Sequence, residues 1–173
     1  MFISLKPPIL ILPVSGNCTQ TALSQPTNQP NIAMRIDYAQ IEPELTSRFR
    51  QLTRDLAQTA ITPSMRALVE LRVSQINHCA YCIQLHGAEA RQLGEDQARI
   101  DELSEWRTSI LFTPREQAAL AWAEALTHTT TLHEDEQEYR QLTALFSEQE
   151  IVALGLAVSL ANFWNRMAGG FRK

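Results

Sequence analysis

Cys79, Cys82 and His86, with Glu70 upstream in an apolar helical run, are the residues whose types and spacing could work together as a redox site. The segment reads Cys79-Ala80-Tyr81-Cys82-Ile83-Gln84-Leu85-His86. Cysteines three apart on a helix face the same way, with Cβ atoms about 5–6 Å apart. A small adjustment of that turn brings them within disulfide range, where Cα atoms sit about 4.4–6.8 Å apart. His86, four residues beyond Cys82, lies over the same face. The arrangement is a dithiol with its own base. Such a group can carry thiol redox chemistry, with the imidazole taking the proton from the reacting thiol.

The elements that must hold these groups are helical. Glu42-Pro43 opens a segment with Leu45, Phe49, Leu52 and Leu56 on one stripe. Thr62-Pro63 is a cap with proline at the first helical position, and the following helix carries Met65, Leu68, Val69, Val73 and Ile76. Asn77-His78 breaks it, and a helix from about Cys79 ends at Gly94. Residues 96–106 read as a short helix. Thr113-Pro114-Arg115-Glu116 and Ser147-Glu148-Gln149-Glu150 are capping boxes, one before a helix reaching about His128, the other before a long helix reaching about Ala168. A further helix spans 134–146. No alternating strand pattern of useful length occurs, so the expected fold is all-α, one domain of about six or seven helices. If the helices flanking Asn77-His78 form an antiparallel hairpin, Glu70 and His86 lie level, about 10–12 Å from the turn. The carboxylate can then accept a hydrogen bond from His86 and fix its tautomer.

Length and composition limit the alternatives. A chain of 173 residues suits one domain with a real core. Net charge is −4 and the basic residues are scattered, which argues against nucleic acid or an anionic membrane surface as partner. Three cysteines, only two of them close in sequence, do not make a secreted disulfide framework. The CxxC fits a reducing, cytoplasmic setting. Residues 1–33 hold five of the eight prolines and a single charged residue, Lys6. They read as a disordered leader, or as a start assigned too early with Met34 as the true one; Pro7, Pro8 and Pro13 interrupt the apolar stretch that a signal peptide would need. No segment reads as long and apolar enough to span a membrane. The nearly apolar run from Ile151 to Leu160 suggests burial partly against another subunit. Trp106, Trp122 and Trp164 read as core or interface aromatics, Asn162 and Asn165 as buried hydrogen-bonding groups, His128 and His133 as solvated, and Cys18 as uninvolved.

Other uses of the dithiol fit less well. Zinc on Cys79, Cys82 and His86 wants a fourth ligand, so no metal is expected. A thioredoxin-like fold would place the CxxC after a strand, and none is visible. Neither pattern nor composition calls for a cofactor. A non-enzymatic dithiol redox or oligomeric scaffold protein is the alternative from another class.

Glu70-Leu71-Arg72-Val73-Ser74-Gln75-Ile76-Asn77, followed by Cys79-x-x-Cys82-x-x-x-His86, resembles the alkylhydroperoxidase D branch of the carboxymuconolactone decarboxylase superfamily. The resemblance continues through Phe112 to Glu116, Ala119 to Leu126 and Asn162 to Arg166, and so covers residues 34–173. It implies an all-α fold assembling into homo-oligomers, often trimers or hexamers. It also implies a thiol peroxidase that reduces hydroperoxides and is itself reduced by a dithiol donor, a lipoyl-bearing protein or thioredoxin. By this resemblance Cys82 is oxidised to sulfenic acid, Cys79 resolves it as a disulfide, and His86 with Glu70 forms the proton relay. Where better studied members have a histidine just before the second cysteine, this chain has Tyr81. His78 is read either as an auxiliary that compensates or as a loop histidine capping the helix. Physical chemistry divides the thiols less cleanly. Cys79 has the helix N-terminus, which favours a thiolate, and Cys82 has the neighbouring base. Cys79, expected to be the more exposed, suits exchange with an outside reductant.

Overall fold

The computed structural model describes residues 35–128 and 136–172. The leader 1–33, with Cys18, and also His133 lie outside the described residues. Among the described residues there are eight α-helices and no strand: α1 Tyr38–Ile41, α2 Pro43–Asp55, α3 Pro63–Ile76, α4 Ala80–Gln92, α5 Gln97–Asp101, α6 Pro114–Thr127, α7 Glu136–Leu145 and α8 Glu148–Phe171. The one beyond the expected six or seven is α1, a single turn whose N-cap, Asp37, accepts hydrogen bonds from the Ala39 and Gln40 amides. A turn this short has no hydrophobic periodicity to betray it in sequence.

Local chemistry sets the longer boundaries. Thr62 caps α3 by accepting from the Met65 amide, and Pro63 fills a position whose N–H would have no partner anyway. Complete capping boxes, Thr113 with Glu116 and Ser147 with Glu150, start α6 and α8. Gly94 ends α4 in the left-handed region at φ 90°.

Helix α3 is the axis of the fold, with α4, α6 and α8 packed around it. Ala67, Leu68, Val69, Glu70, Leu71, Val73 and Ser74 are all buried, so the helix is covered nearly all round. Val69 and Val73 face one apolar core with Ala119 and Ala123 of α6 and Leu154, Ala157, Val158 and Ala161 of α8. Leu68 and Leu71 face a second core with Leu103, Trp106, Phe112 and Leu120. Alanine on α6 and α8 lets these helices approach α3 closely, and burying each leucine contributes roughly 1.5–3 kcal/mol.

Toward the C-terminal end of α3 the contact with α8 turns polar. Asn77 Nδ2 donates to the Val73 carbonyl at 3.0 Å and to the side-chain oxygens of Asn162 and Asn165, both at 2.9 Å. Asn165 donates to Ser74 Oγ at 3.1 Å, and Ser74 donates to the Glu70 carbonyl at 2.9 Å. This seam ties the end of α3, and the turn after it, to the last helix.

Helix α8 corrects one expectation. With 24 residues, Glu148–Phe171 is long and apolar enough to cross a membrane by length and composition, where the sequence reading finds no such segment. Its apolar character has a local cause, since Ala153, Leu154, Ala157, Val158, Leu160 and Ala161 form the wall of the core. Val152 and Leu156 stay exposed on its other face.

Candidate active site

The break between α3 and α4 places the dithiol. Asn77 closes α3 and is pinned to α8, and His78 then takes a left-handed conformation, φ 52°, uncommon for a residue with a Cβ. That turn sends the chain back along α3, so α3 and α4 pack as a hairpin. Cys79 is the N-cap of α4, in extended backbone at φ −83° and ψ 90°, and Cys82 lies in the first turn. Their Cα atoms are 5.3 Å apart and their sulfurs are joined in a disulfide. The cysteines are packed with Tyr81 and Ala168. Cys79 is only 8% exposed and Cys82 3%. Cys79 is thus the more exposed of the two, by a small margin, yet both are buried, with Ala168 of α8 packed against them.

One turn further, His86 is half-buried between carboxylates from both arms of the hairpin. Its Nδ1 lies 3.4 Å from Glu70 Oε2 and 3.4 Å from Glu89 Oε2. Glu70 is 4% exposed, and burial pushes its carboxyl up to about 7, against the opposing pull of His86 and Arg66. Glu89 is held below the usual carboxylate range, first by its hydrogen bond to His86 and further by Arg66. Arg66 Nη2 donates to Glu89 Oε1 at 2.9 Å. Near neutral pH the imidazole thus joins a carboxyl that can carry a proton to a carboxylate that keeps its charge. With Nδ1 so engaged, Nε2 is left to exchange a proton with whatever enters the site.

A cavity of about 320 Å³ opens beside these groups. Cys82 and His86 line it, together with Tyr81, Leu85 and Trp164, while Cys79 does not. Trp164 is fixed there by donating to Thr53 Oγ1 at 2.8 Å. Arg172, at the end of α8, lays its guanidinium over the Tyr81 ring, 3.3 Å from its centroid.

The structure therefore brings Cys79, Cys82, His86 and Glu70 together and puts Tyr81 at the cavity wall. His78 is exposed at the turn and does not line the cavity. Sequence reasoning missed Glu89, although its place three residues after His86 on one helix was a usable signal. It also missed Arg172, which only the return of α8 delivers. The ligand-type atoms of Glu70, His86 and Glu89 lie within 4.8 Å of one another, a set of donors that could hold a metal. Two features compete with a cation there: the guanidinium already on Glu89, and the proton that Glu70 retains near neutral pH. Cysteines joined to each other offer no thiolate ligands.

Residues 43–125 match the carboxymuconolactone decarboxylase family. An uncharacterized protein of Bacillus subtilis, YdfG, is 31% identical over 137 residues, covering 79% of this chain and 93% of its own length. A solved structure from Agrobacterium tumefaciens, of a protein of unknown function assigned provisionally to antioxidant defence as AhpD, is 34% identical. It superposes with a TM-score of 0.77, covering 80% of this chain and 95% of that one. The apo debrominase Bmp8 shares the fold at 21% identity and a TM-score of 0.69, over 76% of this chain and 70% of its own.

Proposed function

Because the chain belongs to the carboxymuconolactone decarboxylase family, in its alkylhydroperoxidase D-like branch, we propose that it is a thiol-dependent peroxidase that reduces hydroperoxides through Cys82 and Cys79. One observation supports the reading above others. Cys82 and His86 share the wall of one cavity from which Cys79 is absent. The attacking sulfur is then the one that has both a base and room for a substrate. Fold alone does not choose the reaction, since the same fold also serves a debrominase.

The cycle starts from the reduced dithiol. His86 takes the Cys82 proton, and the thiolate attacks the terminal oxygen of ROOH. The O–O bond breaks, an S–O bond forms, and the proton returns to the leaving oxygen to give ROH. Cys82 is now a sulfenic acid. The Cys79 thiol displaces its hydroxyl as water and closes the disulfide. An outside dithiol, from a lipoyl-bearing protein or thioredoxin, takes the oxidising equivalents by thiol–disulfide exchange and regenerates both thiols. Glu70 and Glu89 hold the ring by Nδ1, and Glu89, which keeps its charge, balances an imidazolium.

Steady-state turnover of several hydroperoxides with dithiothreitol, a lipoyl protein and thioredoxin, compared side by side, tests this. Turnover with a dithiol donor, lost in Cys82→Ser, is the expected result. Thiols that stay inert to peroxide would overturn it and leave a non-enzymatic dithiol scaffold.

A further inference from the structure

We infer that the cavity beside Cys82 selects hydroperoxides whose organic part carries a carboxylate. The inference rests on the peroxidase reading and gives that site a substrate class.

Three arginines line the cavity, Arg50 and Arg54 from α2 and Arg172 from the end of α8, and no aspartate or glutamate does. Elsewhere Arg66, Arg72, Arg99, Arg107 and Arg115 each pair with a glutamate. Among the described residues these three have no carboxylate partner, as is true also of Arg35, Arg48, Arg91 and Arg166; what sets the three apart is that they share one cavity wall. Arg54 donates to Gln51 Oε1 at 2.6 Å, a neutral acceptor that leaves its charge uncancelled. Arg172 Nε is buried and makes no hydrogen bond. Such a donor is normally satisfied by something, and an incoming oxygen would satisfy it. The chain carries a net charge of −4, so a cavity wall with three positive charges runs against the overall balance. Charge of one sign on low-dielectric walls focuses the field on a ligand of the other.

Apart from Thr53, Cys82 and His86, the rest of the wall is apolar or aromatic, with Tyr38, Tyr81, Leu85, Trp164 and Ala168. It suits a carbon skeleton with an acidic end better than a fully hydrated inorganic anion. Planar guanidinium groups bind carboxylate oxygens in pairs, which fixes direction as well as affinity. Arg172 stands over Tyr81, the residue preceding Cys82. A carboxylate held there leaves the rest of a small substrate beside the sulfur.

The test uses the full chain and three matched peroxides: cumene hydroperoxide, its para-carboxylate and the methyl ester of that acid. The acid is expected to exceed the ester in kcat/KM by roughly tenfold at low salt, mostly through a lower KM, and the advantage should shrink as salt screens it. Arg172→Gln, and separately the double variant Arg50→Gln/Arg54→Gln on the exposed face of α2, should each bring the acid-to-ester ratio toward one. Turnover of all three peroxides with equal kcat/KM for acid and ester would leave the peroxidase reading standing and overturn this inference. No turnover of any of them would end both.

Discussion

His86 Nδ1 stands 3.4 Å from Oε2 of Glu70, a carboxyl that burial pushes up to about 7. Folded, Glu70 binds more protons than the unfolded chain between its ordinary value of 4.5 and about 7. Stability therefore falls as pH rises through that interval. Glu70→Gln removes the titration, so at pH 8 the variant should be more stable than the parent, on the order of 2 kcal/mol. Denaturant melts from pH 4.5 to 8 check this, and an unchanged slope would show that Glu70 titrates as an ordinary carboxylate.

The relay residues should act as one unit. His86→Ala is expected to slow peroxide attack near neutral pH by roughly 10²–10⁴-fold, the usual contribution of a positioned base. Glu70→Gln should slow the same step less, because the imidazole remains. The double variant should then be little worse than His86→Ala alone. Stopped-flow measurement of sulfenate formation from pH 6 to 9 separates this from two independent losses that multiply.

The thiols should differ in order of use. One equivalent of peroxide on the reduced protein should close Cys79–Cys82, visible by peptide mass mapping. In Cys79→Ser the sulfenate should persist on Cys82 and react with dimedone. First oxidation that survives Cys82→Ser but not Cys79→Ser would reverse the assignment.

The polar seam behind the dithiol should carry stability. Asn165 is 3% exposed and links Asn77 to Ser74. Asn165→Ala removes both bonds from the seam while Asn77 keeps Val73 and Asn162 and Ser74 keeps the Glu70 carbonyl, so at about 0.5–1.5 kcal/mol per bond the loss should be roughly 1–3 kcal/mol. Urea unfolding measures it, and a loss near zero would mean that water replaces the amide.

Assembly is testable from the surface. Ile36, Ile41, Leu45 and Leu52 in and around the first two helices are 44–64% exposed, and Val152 and Leu156 on α8 are exposed as well. Apolar faces of this kind predict a homo-oligomer, three or six copies being the expectation from the family. Light scattering at micromolar concentration decides it, and a monodisperse monomer would end the expectation.

Much of this was legible in the sequence because it was local. Caps at Thr62, Thr113 and Ser147 mark three helices, and the spacing around Asn77-His78 alone puts Glu70 level with His86. What stayed hidden depends on α8 returning across α4. That return buries Cys79 against Ala168 and stacks Arg172 on Tyr81, contacts between residues some ninety positions apart. The apolar length of α8 was equally ambiguous, since a helix lined with core residues and one facing lipid share a composition.

The extended backbone at Cys79 has a consequence for how the protein is read by others. With the N-cap bent outward and Cys82 one turn in, the Cα separation of 5.3 Å suits the bridge without unwinding the helix. The neighbouring turn is meanwhile clamped by Asn77. If the dithiol cycles as proposed, opening and closing the bridge calls for little more than a rotation of the thiol side chains. In the proposed cycle an oxidising equivalent would thus be stored with little change of shape, and a reductant would have to collect it by exchange at the sulfurs themselves.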